Sequence, residues 1–319
     1  MSEVAVVIPT YRRETRLRFA LEALAAQTLD PARFEVIVVR APGAQGPFAA
    51  APDGLSVRFL TAPERGPAPQ RNHGWRAATA PLIAFTDDDC RPAPRWLEAL
   101  LAAADGRAMV QGRTVPDPDE RHLLAGLART IEVEGPSAWY ESCNIAYPRE
   151  LLERLGGFDE RFQLPPWGED SDLGLRAGEA GTALRYQPEA LAWHAVVPCT
   201  LPRALAEARR RQWLPLVIAR HPRQRGALYR RWFANRAHAA VAAGIVGLAL
   251  ARRRGPATAL AVAVLPSLAH NLDYNRGRGV GTAQGLARIA AQMPARLLID
   301  LVELGSTVRG SARHGAVVV

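Results

Sequence analysis

The feature that most narrows the fold is a rhythm: short, uninterrupted apolar runs alternate with stretches of helical spacing. Val4–Ile8 is continuous, β-branched and closed by Pro9, which predicts a parallel strand buried on both faces. Glu14–Gln27 then sets Leu17, Leu21 and Leu24 on one helical face. Phe34–Val39 reads as a second buried strand, Val57–Leu60 as a short third and Pro81–Thr86 as a fourth. Strands alternating with helices predict an α/β fold with a doubly wound, mostly parallel sheet, which binds ligands beyond the carboxyl ends of its strands. The site is therefore expected just after Ile8, Val39 and Thr86. The Gly/Pro/Ala-rich segments 41–56 and Pro63–Pro69 read as surface loops near that edge.

At 319 residues the chain exceeds one average domain, and its charge divides it in two. Residues 1–199 hold 21 Arg against 27 acids, a net of −6; residues 200–319 hold 19 Arg against 4 acids, a net of +15. A catalytic domain over 1–200 is expected, followed by an Arg-rich helical appendage over 201–319. The appendage reads as helices over Leu201–His221 and two apolar runs, Ala239–Ala251 and Ala257–Ala269. Each run has 13 residues, short of the roughly 20 that a membrane span needs. Over Gly285–Gly305, Leu286, Ile289, Met293, Leu297, Leu301 and Leu304 fall at helical spacing, which suits either packing on the main domain or contact with a membrane surface.

All forty basic residues are arginine, which excludes a Schiff-base lysine and a P-loop. Cys90, Cys143 and Cys199 fit neither a disulfide framework nor a zinc site, so a reducing compartment is expected. The N-terminus has no basic n-region or cleavage site, which predicts a cytoplasmic protein. Peripheral attachment to the inner face of the cell membrane is expected through the apolar pair and the flanking Arg252–Arg254.

Three motifs carry chemistry. Asp87-Asp88-Asp89 follows the fourth strand directly, and three adjacent carboxylates repel one another unless a cation neutralises them. Oxygen ligands favour Mg²⁺ or Mn²⁺, and the competing reading is a solvated acidic turn. Glu169-Asp170 begins a helical stretch after Gly168; such acids are either helix caps or, beside a metal cluster, the base for an acceptor hydroxyl. His194, after Trp193 at a strand end, is either structural or the completing ligand of a metal site.

Taken in order, Val6-Val7-Ile8-Pro9-Thr10-Tyr11, Arg71-Asn72-His73-Gly74, Phe85-Thr86-Asp87-Asp88-Asp89, Gly156-Gly157-Phe158-Asp159-Glu160, Gly168-Glu169-Asp170 and His194 resemble the family-2 glycosyltransferases of the GT-A fold. The resemblance covers about residues 3–200 and implies an inverting transfer of sugar from a nucleotide-diphosphate sugar to a glycan or lipid-linked hydroxyl. It implies that Asp87, Asp88 and Asp89 bind the donor through a divalent metal, with Asp89 the main ligand and His194 assisting. Asp170 is then the base with Glu169 beside it, while Pro9, Thr10, Tyr11 and Arg71 hold the nucleoside and phosphates. One departure stands out: Arg40 follows the second strand where the family places an acid that reads uracil, and arginine has donors only, which leaves the base open.

Two other classes remain as alternatives. A nucleotidyltransferase on a related sheet would use a Gly-rich loop and lysines that this chain lacks. A non-enzymatic anion- or membrane-binding protein would use the +15 half, and no nucleic-acid motif is present.

Overall fold

The computed structural model describes residues 2–43, 50–124, 126–162, 165–255, 257 and 283–319. The chain forms two compact units, Met1–Pro198 and Cys199–Val319.

In the first unit the strands β1 (Val4–Thr10), β2 (Phe34–Arg40), β3 (Val57–Thr61) and β4 (Leu82–Thr86) run parallel, as their apolar runs predict. Alternation along β1 divides the core into two layers. Val4, Val6 and Ile8 pack with Leu17, Leu21 and Leu24 of α1 (Glu14–Ala25) and with Trp96, Leu97 and Leu100 of α3 (Trp96–Ala103). Ala5 and Val7 face the other layer, which includes Trp75 of α2 (Pro67–Ala77), Leu151 and Leu152 of α4 (Arg149–Leu155), and Leu173 of α5 (Glu169–Glu179). α2 packs closely because Gly74 presents no side chain: a Cβ there would lie 2.4 Å from Val7 Cγ1 and 3.0 Å from Val39 Cγ2.

Beyond β4 the sheet is mixed. Its order is β3-β2-β1-β4-β7-β6-β8-β5, with β5 (Cys90–Pro92), β6 (Met109–Pro116), β7 (Asn144–Pro148) and β8 (Leu184–His194). β7 is antiparallel to β4 and β6, while β8 is parallel to β6 and antiparallel to β5. That last pairing sets His194 opposite Cys90 and so brings the end of β8 next to Asp89.

Two local expectations need correction. β1 continues through Pro9 and Thr10, since its pairing with β4 ends at Val7 while its pairing with β2 runs on to Thr10–Arg40. The segment Pro63–Pro69 is not all loop: α2 starts at Pro67, whose fixed φ suits the first turn of a helix, and Ala68 and Pro69 are buried.

The second unit is helical: α6 (Leu201–Ala208), α7 (Leu214–Arg220), α8 (Arg236–Arg254) and α9 (Ala283–His314). A 3-10 turn, Arg209–Trp213, joins α6 to α7, and α9 packs on that turn, α6, α7 and α8. The first apolar run, Ala239–Ala251, lies within α8; the second, apart from Ala257, lies outside the described residues. Among the described residues no helix is long and apolar enough to cross a membrane.

Candidate active site

The acidic cluster forms the turn between β4 and β5, and the structure gives each carboxylate a different surrounding. Asp88 is buried and accepts a hydrogen bond from Thr10 Oγ1 (2.7 Å) and one from Arg13 Nη1 (3.1 Å). Arg13 also bonds Asp89 Oδ2 (2.5 Å). Burial, and then the Asp89 charge, push Asp88 up to about 7 against the pull of Arg13 and Thr10. Asp87 pairs with Arg71 Nη2 at 2.8 Å. Two arginines therefore share the neutralisation that the sequence assigned to a cation alone.

His194 adds a directed imidazole. Its Nδ1 lies 2.9 Å from Ala195 O, an acceptor, so Nδ1 donates there and Nε2 is turned toward Asp89. Nε2 lies 3.7 Å from Asp89 Oδ1. An imidazole nitrogen and a carboxylate converging at that distance could ligate one cation together, and a backbone bond behind the ring is the usual support of a metal-binding imidazole. The residues thus fit a hard or borderline divalent ion. Cys90 Sγ belongs to the same group, all of whose ligand atoms lie within 4.8 Å of one another. Its contact with Cys143 and its burial raise its pKa well above the usual thiol range, so it stays protonated.

The second acidic pair opens α5. Gly168, at φ 93°, turns the chain into the helix and leaves Glu169 and Asp170 in its first turn. Asp170 accepts from the Ser171 N–H (2.8 Å) and the Ser142 N–H (3.4 Å). Burial, then the Glu169 charge, push Asp170 up to about 8, with Arg71 opposing.

Arg71 joins the two clusters. Its side chain is buried, and its two terminal nitrogens divide between Asp87 and Glu169 Oε1 (3.3 Å). Arg71 Nε and Glu169 Oε2 are buried without a hydrogen-bond partner among the described residues, so polar capacity is left over where the clusters meet.

Of the expected nucleoside-loop residues, Pro9 is buried in β1 and Thr10 is bonded to Asp88. Tyr11 lies with its ring beside Arg12 and Arg65, and Arg65 Nη2 donates to its hydroxyl (3.0 Å). Arg40 ends β2 beside Thr10. Asp53 and Glu64, the nearby acids, are exposed.

Sequence reasoning missed four supports. Arg13 holds Asp88 and Asp89. Gln70 Nε2 ties α2 to the strand ends through Thr10 O (2.8 Å) and Val39 O (2.7 Å). Asn72 fixes the Gly-Gly-Phe-Asp segment through Phe158 O (2.8 Å), the Phe158 N–H (2.9 Å) and Glu160 (2.6 Å). Tyr140 takes the uncommon φ of 55°, with its ring against Gly174 of α5, where a Cβ would meet Tyr140 Cγ at 2.1 Å. The flanking Trp139 lies 5.7 Å from Trp167 between ring centres, and its carbonyl accepts from Ser171 Oγ (2.8 Å). The sequence offers Trp139 and Trp167 either as stacking faces for a sugar or as core residues without showing that they meet, and the other supports join residues far apart in sequence.

Residues 5–156 match the profile of the family described as Glycosyl transferase family 2. A validoxylamine A glucosyltransferase of Streptomyces hygroscopicus subsp. limoneus is 28% identical over 58% of this chain and 50% of its own length. A pre-mycofactocin glycosyltransferase of Mycobacterium tuberculosis is 32% identical over 41% of this chain and 30% of its own length. The chain thus spans half or less of the length of these relatives. In fold it resembles a solved mannosyltransferase of Pyrobaculum calidifontis in complex with GDP-Man and Mn²⁺, with a TM-score of 0.54 at 19% identity, covering 97% of this chain and 86% of that one.

Proposed function

We propose that this chain, whose residues 5–156 match the Glycosyl transferase family 2 profile, transfers a sugar from a nucleotide-diphosphate sugar to an acceptor hydroxyl with inversion. The observation that carries this reading is the single buried guanidinium of Arg71, shared between Asp87 of the acidic turn and Glu169 beside Asp170. This link supports reading the acidic turn and the Glu169–Asp170 pair as two parts of one site.

Asp89, Asp87 and His194 would hold a Mn²⁺ or Mg²⁺ ion, which supplies charge stabilisation to the departing nucleoside diphosphate. Thr10 and Arg13 hold Asp88 and so fix the turn that presents its neighbours. Asp170 takes the proton of the acceptor hydroxyl. The hydroxyl oxygen forms the new bond to the anomeric carbon, the carbon–phosphate-oxygen bond breaks, and its electron pair leaves with the nucleoside diphosphate. Attack from the face opposite the leaving group inverts the centre. Trp139 and Trp167, on the Asp170 side, offer ring faces to a sugar or lipid-linked acceptor.

Calorimetry with UDP-, TDP- and GDP-sugars and Mn²⁺, with and without EDTA, tests the donor half. One donor is expected to bind only with metal, and its base reports what Arg40 tolerates. If none binds, the reading fails; release of pyrophosphate from a nucleoside triphosphate and a sugar phosphate would put nucleotidyl transfer in its place.

A further inference from the structure

Helix α9 is sorted inside out. Leu297, Leu298 and Leu301 are each 42% exposed and Val308 51%; Pro294, Gly305 and Ala312 on the same stripe are exposed as well. The inward face is mainly polar, with Asp300, Glu303, Thr307 and Ser311 around the buried Leu304. Thr307 and His238 of α8 are fully buried. Glu303 lies 3.2 Å from His238 Nε2 and 3.5 Å from Arg211 Nε. A helix surrounded by water turns its apolar stripe to the core, and a continuous apolar stripe facing out marks a surface that meets something apolar. α8 repeats the pattern: Ile245, Val246 and Leu248 are more than half exposed, and no polar residue lies between Ala239 and Ala251.

Charge decides what meets it. Among the described residues of this unit, the acids Glu207, Asp300 and Glu303 are at most part-exposed. Glu207 pairs with Arg203 (3.2 Å), Glu303 is engaged as above, and burial beside Glu303 pushes Asp300 up to about 6. Arg209, Arg223, Arg230, Arg231 and Arg309 are exposed, so the outer surface is strongly cationic. A second copy of the chain would set like charge against like; an anionic bilayer brings the opposite sign. Arg230 and Arg231, at φ 50° and 66°, form a tight turn ahead of Trp232, which is 54% exposed. An aromatic ring beside cations is the composition of an interfacial anchor.

We infer that α8, α9 and the Trp232 turn dock residues 199–319 on an anionic lipid bilayer surface, with the outward leucines entering the acyl boundary and the arginines meeting headgroups. The inference is independent of the sugar-transfer reading. Flotation of the full chain with vesicles tests it. Vesicles of equimolar phosphatidylcholine and phosphatidylglycerol are expected to carry the protein and phosphatidylcholine alone to carry little, with binding weakened by salt. The double variant Leu297→Ser, Leu301→Ser is expected to lose about tenfold or more in partitioning, with an unchanged circular dichroism spectrum and Tm. Binding by the variant equal to wild type, or no flotation with either vesicle, overturns the inference. So does a stable wild-type dimer that falls apart in the variant without any flotation, which would give the stripe to a second copy. Should the variant fail to fold, brominated lipids decide with the wild-type chain: quenched tryptophan fluorescence supports docking, and unquenched fluorescence overturns it.

Discussion

Asp170 is held in a state that opposes its proposed use. With its pKa pushed up to about 8 by burial and by Glu169, its carboxyl is mostly protonated at neutral pH in the free protein. The rate at low acceptor is therefore expected to rise with pH up to about 8, because only the carboxylate accepts a proton. Glu169→Gln removes the like charge that raises Asp170 and leaves Arg71 to lower it, so the acid limb of kcat/KM should move to lower pH. A limb that stays in place argues against the pair. The same shift bears on stability. A carboxyl with a raised folded pKa binds its proton more tightly folded than unfolded, so its ionisation removes stability as pH climbs from 3.8 to about 8. Asp170→Asn should therefore abolish turnover, keep donor binding and raise Tm by a few degrees at pH 8 and above; a variant that turns over like wild type would sink the base assignment.

At the scale of elements, the four parallel strands and the acidic turn were legible because a strand buried on both faces must be apolar throughout, and three carboxylates in a row have few uses. The antiparallel β7 was not, since the composition of a buried strand carries no direction. Nor was the contribution of Arg13, Gln70 and Asn72, whose partners lie 31 to 88 residues away in contacts that only the folded sheet creates. The Gly285–Gly305 stripe gave the helix, but periodicity marks a stripe without saying whether it faces in or out. Close packing makes its own prediction. Gly74→Ala puts a methyl 2.4 Å from Val7 Cγ1 on a rigid central strand, and overpacking of this kind costs about 1–3 kcal/mol. The urea midpoint should fall accordingly, and Val7→Ala in the same chain should recover part of the loss. An unchanged midpoint in Gly74→Ala would show that α2 does not press on β1 as described.

For the whole molecule, the division of charge along the chain separates two kinds of binding. Donor affinity is expected to reside in Met1–Pro198 and vesicle affinity in Cys199–Val319, so perturbing one should leave the other intact. Asp89→Ala should lose metal-dependent donor binding and still float with anionic vesicles, whereas Leu297→Ser, Leu301→Ser should do the reverse. Loss of both properties in either variant would contradict the separation. Turnover as a whole also inherits a sequence of events from Arg71. A guanidinium divided between Asp87 and Glu169 transmits charge: whatever draws Asp87 away leaves more of Arg71 for Glu169, and the proton affinity of Asp170 falls. On the proposed reading the acceptor would meet a competent base only after the donor has arrived, and product inhibition should follow the pattern of compulsory order, donor first and nucleoside diphosphate last to leave.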